Sequence, residues 1–516
     1  MINTLSDVRF KNENGKFIKM QSANSGYAYN DVLASIDENG VITVTSDKTP
    51  VRCICFIWKV DFKPHERFLG DAWERAYGDL EWLPIEKTGI MPWYFTAKSG
   101  DICRCFGVMT QPNAMCFWRV RDGEAALYLD VRSGPDPIAF SGRVLEAATV
   151  IIKRYTKPAI EAITDFCREL CPKPRLLPYP IYGGCDWYCT YGYSSYDTVI
   201  SHSRKIAECA EGLENRPFMI VDAGWAICHN INKYLGGPWY PNTKFGDMKK
   251  LAEEMKSLGV RPALWYKSLD NSEVFKDNHY LRYNDATKTA TDYTLDPSKP
   301  ETLEQIKKEI QRFKSWGFEM IKEDFSSFDM LLKWGFEMGD ELTEANWHFH
   351  NTSLTTAEIA KNLYKAIREA AGDDMIISGC NSFNHLCAGI YEFMRTGDDT
   401  SGIHWDRTKK MGVNTLAFRM SHHNTFYSAY ADCVGITSNI EWHRNRQWLD
   451  VLSKSGTPTF VSISEDSYTP EVKKAVKEAF ARASVNTVTS VPLDWEDEAF
   501  PRVWKSAYGT DTYCWD

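Results

Sequence analysis

Two aspartates, each placed just past a short apolar run, carry the clearest chemistry in this sequence. They are Asp324 in Phe318-Glu-Met-Ile-Lys-Glu-Asp324-Phe325 and Asp399 in Phe393-Met-Arg-Thr-Gly-Asp398-Asp399-Thr400. Each run reads as a buried parallel strand followed by a loop. Parallel-barrel enzymes hold their catalytic side chains at that end of the strand. Two carboxylates brought together there are the minimal apparatus for cleaving a glycosidic bond.

The neighbours of each aspartate support two readings. Side chains alternate on a strand, so Lys322 and Asp324 share one side. Pointing inward, Lys322 would keep the carboxylate ionised, as a nucleophile requires. A salt bridge closing the end of the barrel explains the same pair about as well. Either Asp398 or Asp399 would be a proton donor, its pKa raised by its neighbour's charge and by partial burial. On local grounds alone, a helix cap before His404–Met411 is the simpler reading.

Trp187, Trp225 and Trp265 fall at three consecutive strand ends, where indoles stack on sugar faces, although any one of them alone reads as core packing. Asp222, in Ile220-Val-Asp222-Ala-Gly-Trp225, ends the second strand and would accept hydrogen bonds from sugar hydroxyls or stabilise a turn. His422-His423 and Asp432 follow the expected seventh strand. No helix carries a His-x-x-x-His pair, so no metal site is expected.

The elements that must position these residues fall into two kinds. Residues 1–155 alternate β-rich runs such as Gly40-Val-Ile-Thr-Val-Thr and Val51-Arg-Cys-Ile-Cys-Phe-Ile-Trp with Gly, Asp, Asn and Pro turns, which predicts an antiparallel β-sandwich. Residues 156–180 predict a helix, Pro158–Leu170, and then a linker whose four prolines cannot continue it. Residues 181–484 alternate strand and helix. The predicted strands are Pro180–Asp186, Pro217–Asp222, Val260–Tyr266, Phe318–Asp324, Asp374–Gly379, Tyr391–Thr396, Asn414–Phe418 and Thr457–Ile463. Amphipathic helices are predicted at Met248–Leu258, Thr302–Trp316, Thr356–Ala371 and Glu471–Ala483. The pattern is that of an α/β protein with a (β/α)8 TIM barrel. No glycine-rich phosphate loop follows the first strand, which disfavours a doubly wound sheet. The stretch from Phe325 to Ser353 is long for a connection and rich in aromatics, as a wall of the active-site mouth would be. Residues 485–516 turn β-like and form a short tail.

Composition excludes several classes. The 516 residues, 43% apolar and 25% charged, suit a soluble multidomain protein rather than a disordered one. A net charge of −9 without a basic block excludes a nucleic-acid partner. No signal-like N-terminus and no membrane-spanning run are visible. The fifteen cysteines are odd in number, scattered and mostly set in apolar runs (Cys53, Cys55, Cys103, Cys105), which predicts reduced thiols and a cytoplasmic location.

Taken together, the motifs resemble the α-galactosidase (melibiase) families of retaining glycoside hydrolases, above all glycoside hydrolase family 36. The strongest block runs from Gly379-Cys-Asn-Ser through Gly389 to Met394-Arg-Thr-Gly-Asp-Asp-Thr400, followed by Lys322-Glu-Asp324-Phe325. Weaker matches are Gly184-Cys-Asp-Trp-Tyr188, Ala263-Leu-Trp265 and Asp432-Cys433. The resemblance covers Tyr179 to Ile463. It implies Asp324 as nucleophile and Asp399 as acid/base, although relatives spaced one residue shorter favour Asp398. It also implies a one-sugar pocket lined by Lys322, Arg395, Asp222, Cys380 and the tryptophans, no metal or organic cofactor, a glycoside or oligosaccharide substrate, and a homo-oligomer by analogy. Two departures stand out. The family pairs two acids after the second strand to hold the galactose 4- and 6-hydroxyls, and here they read Asp222-Ala223. The C-terminal β-domain is cut short. The expected activity is a retaining exo-α-galactosidase. Its rivals are action on another α-sugar, transglycosylation, or a degraded carbohydrate-binding relative.

Overall fold

The computed structural model describes residues 5–229, 237–270, 282–283 and 294–516. Strands between Leu5 and Thr156 build two antiparallel sheets. One has six strands, with Val51–Lys59 central between Leu5–Asn12 and Glu124–Asp130. The other has nine, with Leu145–Thr156 and Ile102–Val108 at its middle. Period-two burial drives their packing: along Val41–Thr45 the apolar Ile42 and Val44 are buried while their neighbours are half-buried. Aromatic rings join the two layers. Phe95 and Phe106 stack at 4.8 Å in one sheet, and both meet the Trp118 ring of the other edge-on at 5.7 and 5.9 Å. Cys53, Cys55, Cys103 and Cys105 are buried strand residues of these sheets.

The helix Ala159–Leu170 buries Ala159, Ala162, Ile163, Phe166, Cys167 and Leu170, a single face at helical spacing. A proline-rich stretch without regular structure follows, and after it the chain builds one parallel sheet. Its strands are β1 (Tyr182–Cys185), β2 (Phe218–Val221), β3 (Arg261–Lys267), β4 (Met320–Asp324), β5 (Ile376–Gly379), β6 (Phe393–Arg395), β7 (Ser428–Tyr430), β8 (Cys433–Ile436) and β9 (Thr459–Ile463). The hydrogen-bonded order is β7-β6-β5-β4-β3-β2-β1-β9-β8. The two ends of that order, β7 and β8, are successive pieces of one stretch separated only by Ala431-Asp432. Every strand of the sheet is buried along its length, except that Arg261 at the start of β3 is half-buried, as expected for parallel strands covered on both faces.

Helical crossovers cover the sheet, and local chemistry fixes their ends. Thr355 and Glu358 form a reciprocal capping box at the start of Thr356–Ala371. Asp247 caps Met248–Leu258, and Gly259, at φ 101°, ends it in the left-handed conformation that glycine adopts without penalty.

The structure corrects one predicted strand. Asn414–Phe418 is helical, continuing the turns that begin at Trp405, and the strand beside β6 is Ser428–Tyr430. A short, wholly buried run satisfies either structure, and here it packs as helix. Asp432 accordingly lies inside the strand pair rather than beyond it. The C-terminal tail folds into a three-stranded antiparallel sheet, Val491–Pro492, Val503–Ser506 and Gly509–Thr512. It leans on its neighbours: the Trp405 indole donates to the Trp515 carbonyl at 2.8 Å, and the Tyr513 hydroxyl to Asp450 at 2.8 Å. Among the described residues no helix is long and apolar enough to cross a membrane.

Candidate active site

The C-terminal ends of β1–β6 surround a cavity of about 240 Å³, lined among others by Trp187, Asp222, Trp265, Lys322, Asp324, Asp398 and Asp399. Strand alternation sets the inward residues. On β4, Lys322 and Asp324 reach the cavity, while Glu323 points away into hydroxyls of Ser268, Ser326 and Ser382 at 3.0, 3.2 and 2.6 Å.

Three N–H groups fix the Asp324 carboxylate. The Trp265 indole donates to Oδ2 at 3.0 Å, and the backbone amides of Phe325 and Asn381 donate to Oδ1 at 2.8 and 3.1 Å. Phe325 holds φ at 66°, a left-handed conformation that bulky residues rarely take and that folds the backbone back onto the carboxylate before it. Each carboxylate oxygen has two lone pairs, so Asp324 keeps acceptor capacity toward a ligand.

Lys322 does not pair with Asp324. Its ammonium lies 2.8 Å from Asp222 Oδ2, and both side chains are almost wholly buried. Burial opposes its charge, but Asp222 first, and then Cys380, Cys185 and Asp324, hold its pKa well above the usual lysine value. Asp222 has two further contacts: Cys185 Sγ lies 3.2 Å from Oδ2, and the Ala223 amide donates to Oδ1 at 2.8 Å. Behind it Asp186, also buried, accepts from the Asp222 amide. Burial pushes the Asp186 carboxyl up to about 7.

Asp398 and Asp399 sit among cations and cap no helix. Asp398 is clamped by Arg75 at 2.8 Å and Arg407 at 2.5 Å. Asp399 is approached on Oδ1 by Arg395 at 3.2 Å and Arg75 at 3.7 Å, and about a third of its side-chain surface remains open. Burial pushes the Asp399 carboxyl upward, but Arg395, Arg75, Lys322 and Arg407 outweigh it and bring it down to about 2. That reverses the raised value expected from the sequence, because Arg75 and Arg407, which left no signal there, join Arg395 and Lys322 around the carboxylate. Arg395 is buried and also binds Asp432 at 3.0 Å, with Cys380 Sγ 3.5 Å from its other nitrogen. Arg395 and Cys380 thus lie beneath the wall rather than on it. Asp432, at φ 68°, further receives the Thr400 amide at 2.9 Å and the Tyr188 hydroxyl.

Of the three tryptophans, Trp187 and Trp265 line the cavity. Trp225 does not. It is fully buried among Trp239, Phe313 and Trp316, with its indole donating to the Trp265 carbonyl at 2.9 Å. The loop after Asp222 turns it back into the core.

Several lining residues had no local signal. Arg75 and Tyr77 come from the β-rich N-terminal part, whose segment Asp71–Tyr77 reaches over the sheet. The segment is bolted down by paired backbone bonds, Ala76 amide to Thr396 carbonyl and Asp398 amide to Ala76 carbonyl, both 2.9 Å. The buried carboxylate of Glu74 accepts from Ser327, Asn381 and the Gly335 amide. Asp71 meets Arg419 at 2.7 Å. The long aromatic loop after β4, expected as a wall of the mouth, supplies Phe325, Trp334 and Phe336, and the short helix Trp405–Thr408 supplies Arg407, which had no such signal. Arg75 also stands over the Tyr77 and Trp334 rings at 5.9 and 5.7 Å.

The site is thus built where paired antiparallel β-sheets join a parallel α/β sheet, with carboxylates gathered at the strand ends. No protein-family model matches the chain. Solved structures do. The α-galactosidase TtGalA of Thermus thermophilus, in complex with p-nitrophenyl α-D-galactopyranoside, superposes with a TM-score of 0.62 at 16% identity, covering 99% of each chain. The GH36 α-galactosidase AgaA of Geobacillus stearothermophilus gives 0.60 at 14%, over 97% of this chain and 79% of its own. The α-galactosidase of Lactobacillus brevis gives 0.63 at 13%, over 97% and 76%. The chain has the fold of the GH36 α-galactosidases.

Proposed function

We propose that this protein is a retaining, exo-acting α-glycosidase that removes terminal α-linked galactose. The observation that carries the reading is the meeting of Asp324 and Asp399, from two different strands, on one small cavity with Trp187 and Trp265. Its volume, about 240 Å³, lies below the range of pockets built for larger ligands and suits a single sugar. The fold shared with GH36 α-galactosidases supports the same conclusion, and one such neighbour is described in complex with stachyose. We read the parallel strands as a (β/α)8 barrel closed through Ala431-Asp432, which puts the cavity at the customary catalytic end.

In this reading Asp324, held still by three donors, attacks the anomeric carbon and forms a glycosyl-enzyme. Asp399 protonates the departing oxygen and then, as a base, draws the proton from water. Asp399 takes this role rather than Asp398, because Asp398 spends its carboxylate on two arginines while Asp399 is engaged on Oδ1 alone among the described contacts. Its low pKa suits the base half of the cycle. For the acid half the arginines must yield when a substrate fills the cavity and excludes water. Lys322 and Asp222 form the floor, and Trp187 and Trp265 offer faces to the ring.

The test is turnover of 4-nitrophenyl α-D-galactopyranoside within a panel of α-glycosides, by wild type, Asp324→Ala and Asp399→Ala. The expected result is hydrolysis of the galactoside and a fall of about 10³-fold or more in kcat for Asp324→Ala. Turnover of a different α-glycoside would keep the mechanism and change the sugar. An Asp324→Ala protein as active as wild type would overturn the assignment.

A further inference from the structure

We propose that a cavity on the outer face of the six-stranded sheet binds a compact organic anion carrying at least two negative charges. It shares no lining residue with the active-site cavity, so the inference does not rest on the glycosidase reading. Strand register builds the site. Phe117, Tyr128, Cys55 and Arg9 form one row across four strands, and Asp130, Cys53, Lys11 and Phe17 form the next. Arg119 and Arg121 follow Phe117 at two-residue steps and so share that face. The opposite face carries Trp118 and packs on the other sheet. The loop after β4 walls the outer face in with Asp340 and Glu341, leaving a cavity of about 280 Å³.

Six cations line this cavity, Arg9, Lys11, Arg52, Arg119, Arg121 and Arg132, against three carboxylates, Asp130, Asp340 and Glu341. At the rim Lys19 adds a cation, and Asp7 and Glu344 add two carboxylates. Positive charge prevails, in a chain whose net charge is −9. The carboxylates use only part of the donor capacity. Arg119 gives one terminal nitrogen to Asp340 at 2.9 Å, and Arg9 gives its Nε to Asp7 at 2.7 Å. Lys11 meets Glu341, which Arg52 also reaches at 3.4 Å. The Arg121 guanidinium makes no ion pair or hydrogen bond among the described residues, although Glu124 stands directly across the strand pair. A guanidinium holds five N–H donors in a fixed fork that matches the oxygens of a phosphate or carboxylate. A concave wall of one sign also focuses its field on an approaching anion. The floor is apolar. The Phe117 and Tyr128 rings stack at 4.8 Å, and Phe17 meets Tyr128 edge-on at 5.9 Å. Rings beneath and guanidinium groups around suit an anion with an organic body better than a bare ion. The volume limits that body to roughly the size of a single sugar.

The test titrates the whole protein calorimetrically with glucose 6-phosphate, citrate and inorganic phosphate at low ionic strength, where charge contacts are least screened. Wild type, Arg119→Ala and Arg121→Ala are compared with Lys474→Ala, which removes an exposed cation from the helix Pro470–Ala483. Arg121 is itself exposed, so its variant keeps the fold. One molecule of glucose 6-phosphate or of citrate should bind per chain, and inorganic phosphate more weakly. Both arginine variants should weaken that binding by about 10-fold or more, and Lys474→Ala should leave it unchanged. Binding of glucose 6-phosphate alone would make the ligand a phosphate ester, and binding of citrate alone a polycarboxylate. Failure of both organic anions to bind, no loss in either arginine variant, or an equal loss in all three variants overturns the inference. Inorganic phosphate binding as tightly as the organic anions would likewise refute an organic ligand.

Discussion

Asp399 and its arginines raise the sharpest question at the scale of single residues. A proton donor should hold its proton near working pH, yet the surrounding cations keep this one ionised. Arg75 is the cation most open to test, because it arrives from outside the parallel sheet while Arg395 is built into it. Removing a positive charge raises a neighbouring carboxyl's pKa. Arg75→Gln should therefore move the alkaline limb of the kcat profile, which reports the substrate-loaded site, to higher pH, a shift that a general loss of packing would not produce. An unmoved limb would show that Arg75 serves only to anchor Asp398. The Lys322–Asp222 pair makes a second residue-scale prediction. Lys322→Met would strand Asp222 as a buried, unpaired charge, which costs about 3–5 kcal/mol, read as a fall in the urea midpoint. A variant as stable as wild type would mean that Asp222 takes up a proton or water reaches it.

At the scale of elements, the strand ends were legible and the parts that cross between elements were not. Lys322-Glu-Asp324 reads correctly because alternation on a strand is a local rule, and it puts both inward groups on the cavity. Asn414–Phe418 misleads because five buried residues, two polar and three apolar, carry no period, so the pattern cannot separate strand from helix. Trp225 misleads because its direction depends on the turn after Asp222 and not on its spacing. Arg75 and Glu74 leave no trace at all, since only the docking of a segment from the antiparallel sheets brings them to the site. The backbone pairing of Ala76 with the chain around Gly397 makes that docking rigid. A side chain on Gly397 would sit 2.1 Å from the Met411 carbonyl oxygen. Gly397→Ala should thus displace the turn bearing Asp398 and Asp399 and cut kcat by at least about 10²-fold while leaving the far-ultraviolet circular dichroism spectrum unchanged. Wild-type kcat in that variant would show that the turn tolerates the shift.

For the whole molecule, pH-dependent stability should reflect the carboxyls buried around the parallel sheet. Burial pushes Asp186 to about 7, Glu323 to about 8 and Asp329 to about 7. Each binds its proton more tightly folded than unfolded. Between the ordinary carboxylate range and these raised values the folded state therefore holds more protons, and stability falls as pH rises. The low value of Asp399 works the other way, its contribution being lost as pH drops from the ordinary carboxylate range toward about 2. Four buried histidines work against this trend over the same interval, since burial lowers His202, His385 and His423 to about 4 and His422 to about 3. The carboxyl contribution is therefore read by difference: between pH 5 and pH 8 the urea midpoint of Glu323→Gln should fall less, or rise more, than that of wild type. The same change in both proteins would contradict the raised value of Glu323.

The most direct measurement of the central claim is to trap the intermediate. Asp399→Ala would be incubated with α-D-galactopyranosyl fluoride, whose leaving group needs no acid, and its peptides would be mapped by mass spectrometry. With the base for the second step removed, one hexosyl unit should accumulate on the peptide containing Asp324. A hexosyl unit on any other residue, or consumption of the fluoride with inversion and no labelled peptide, would contradict the account.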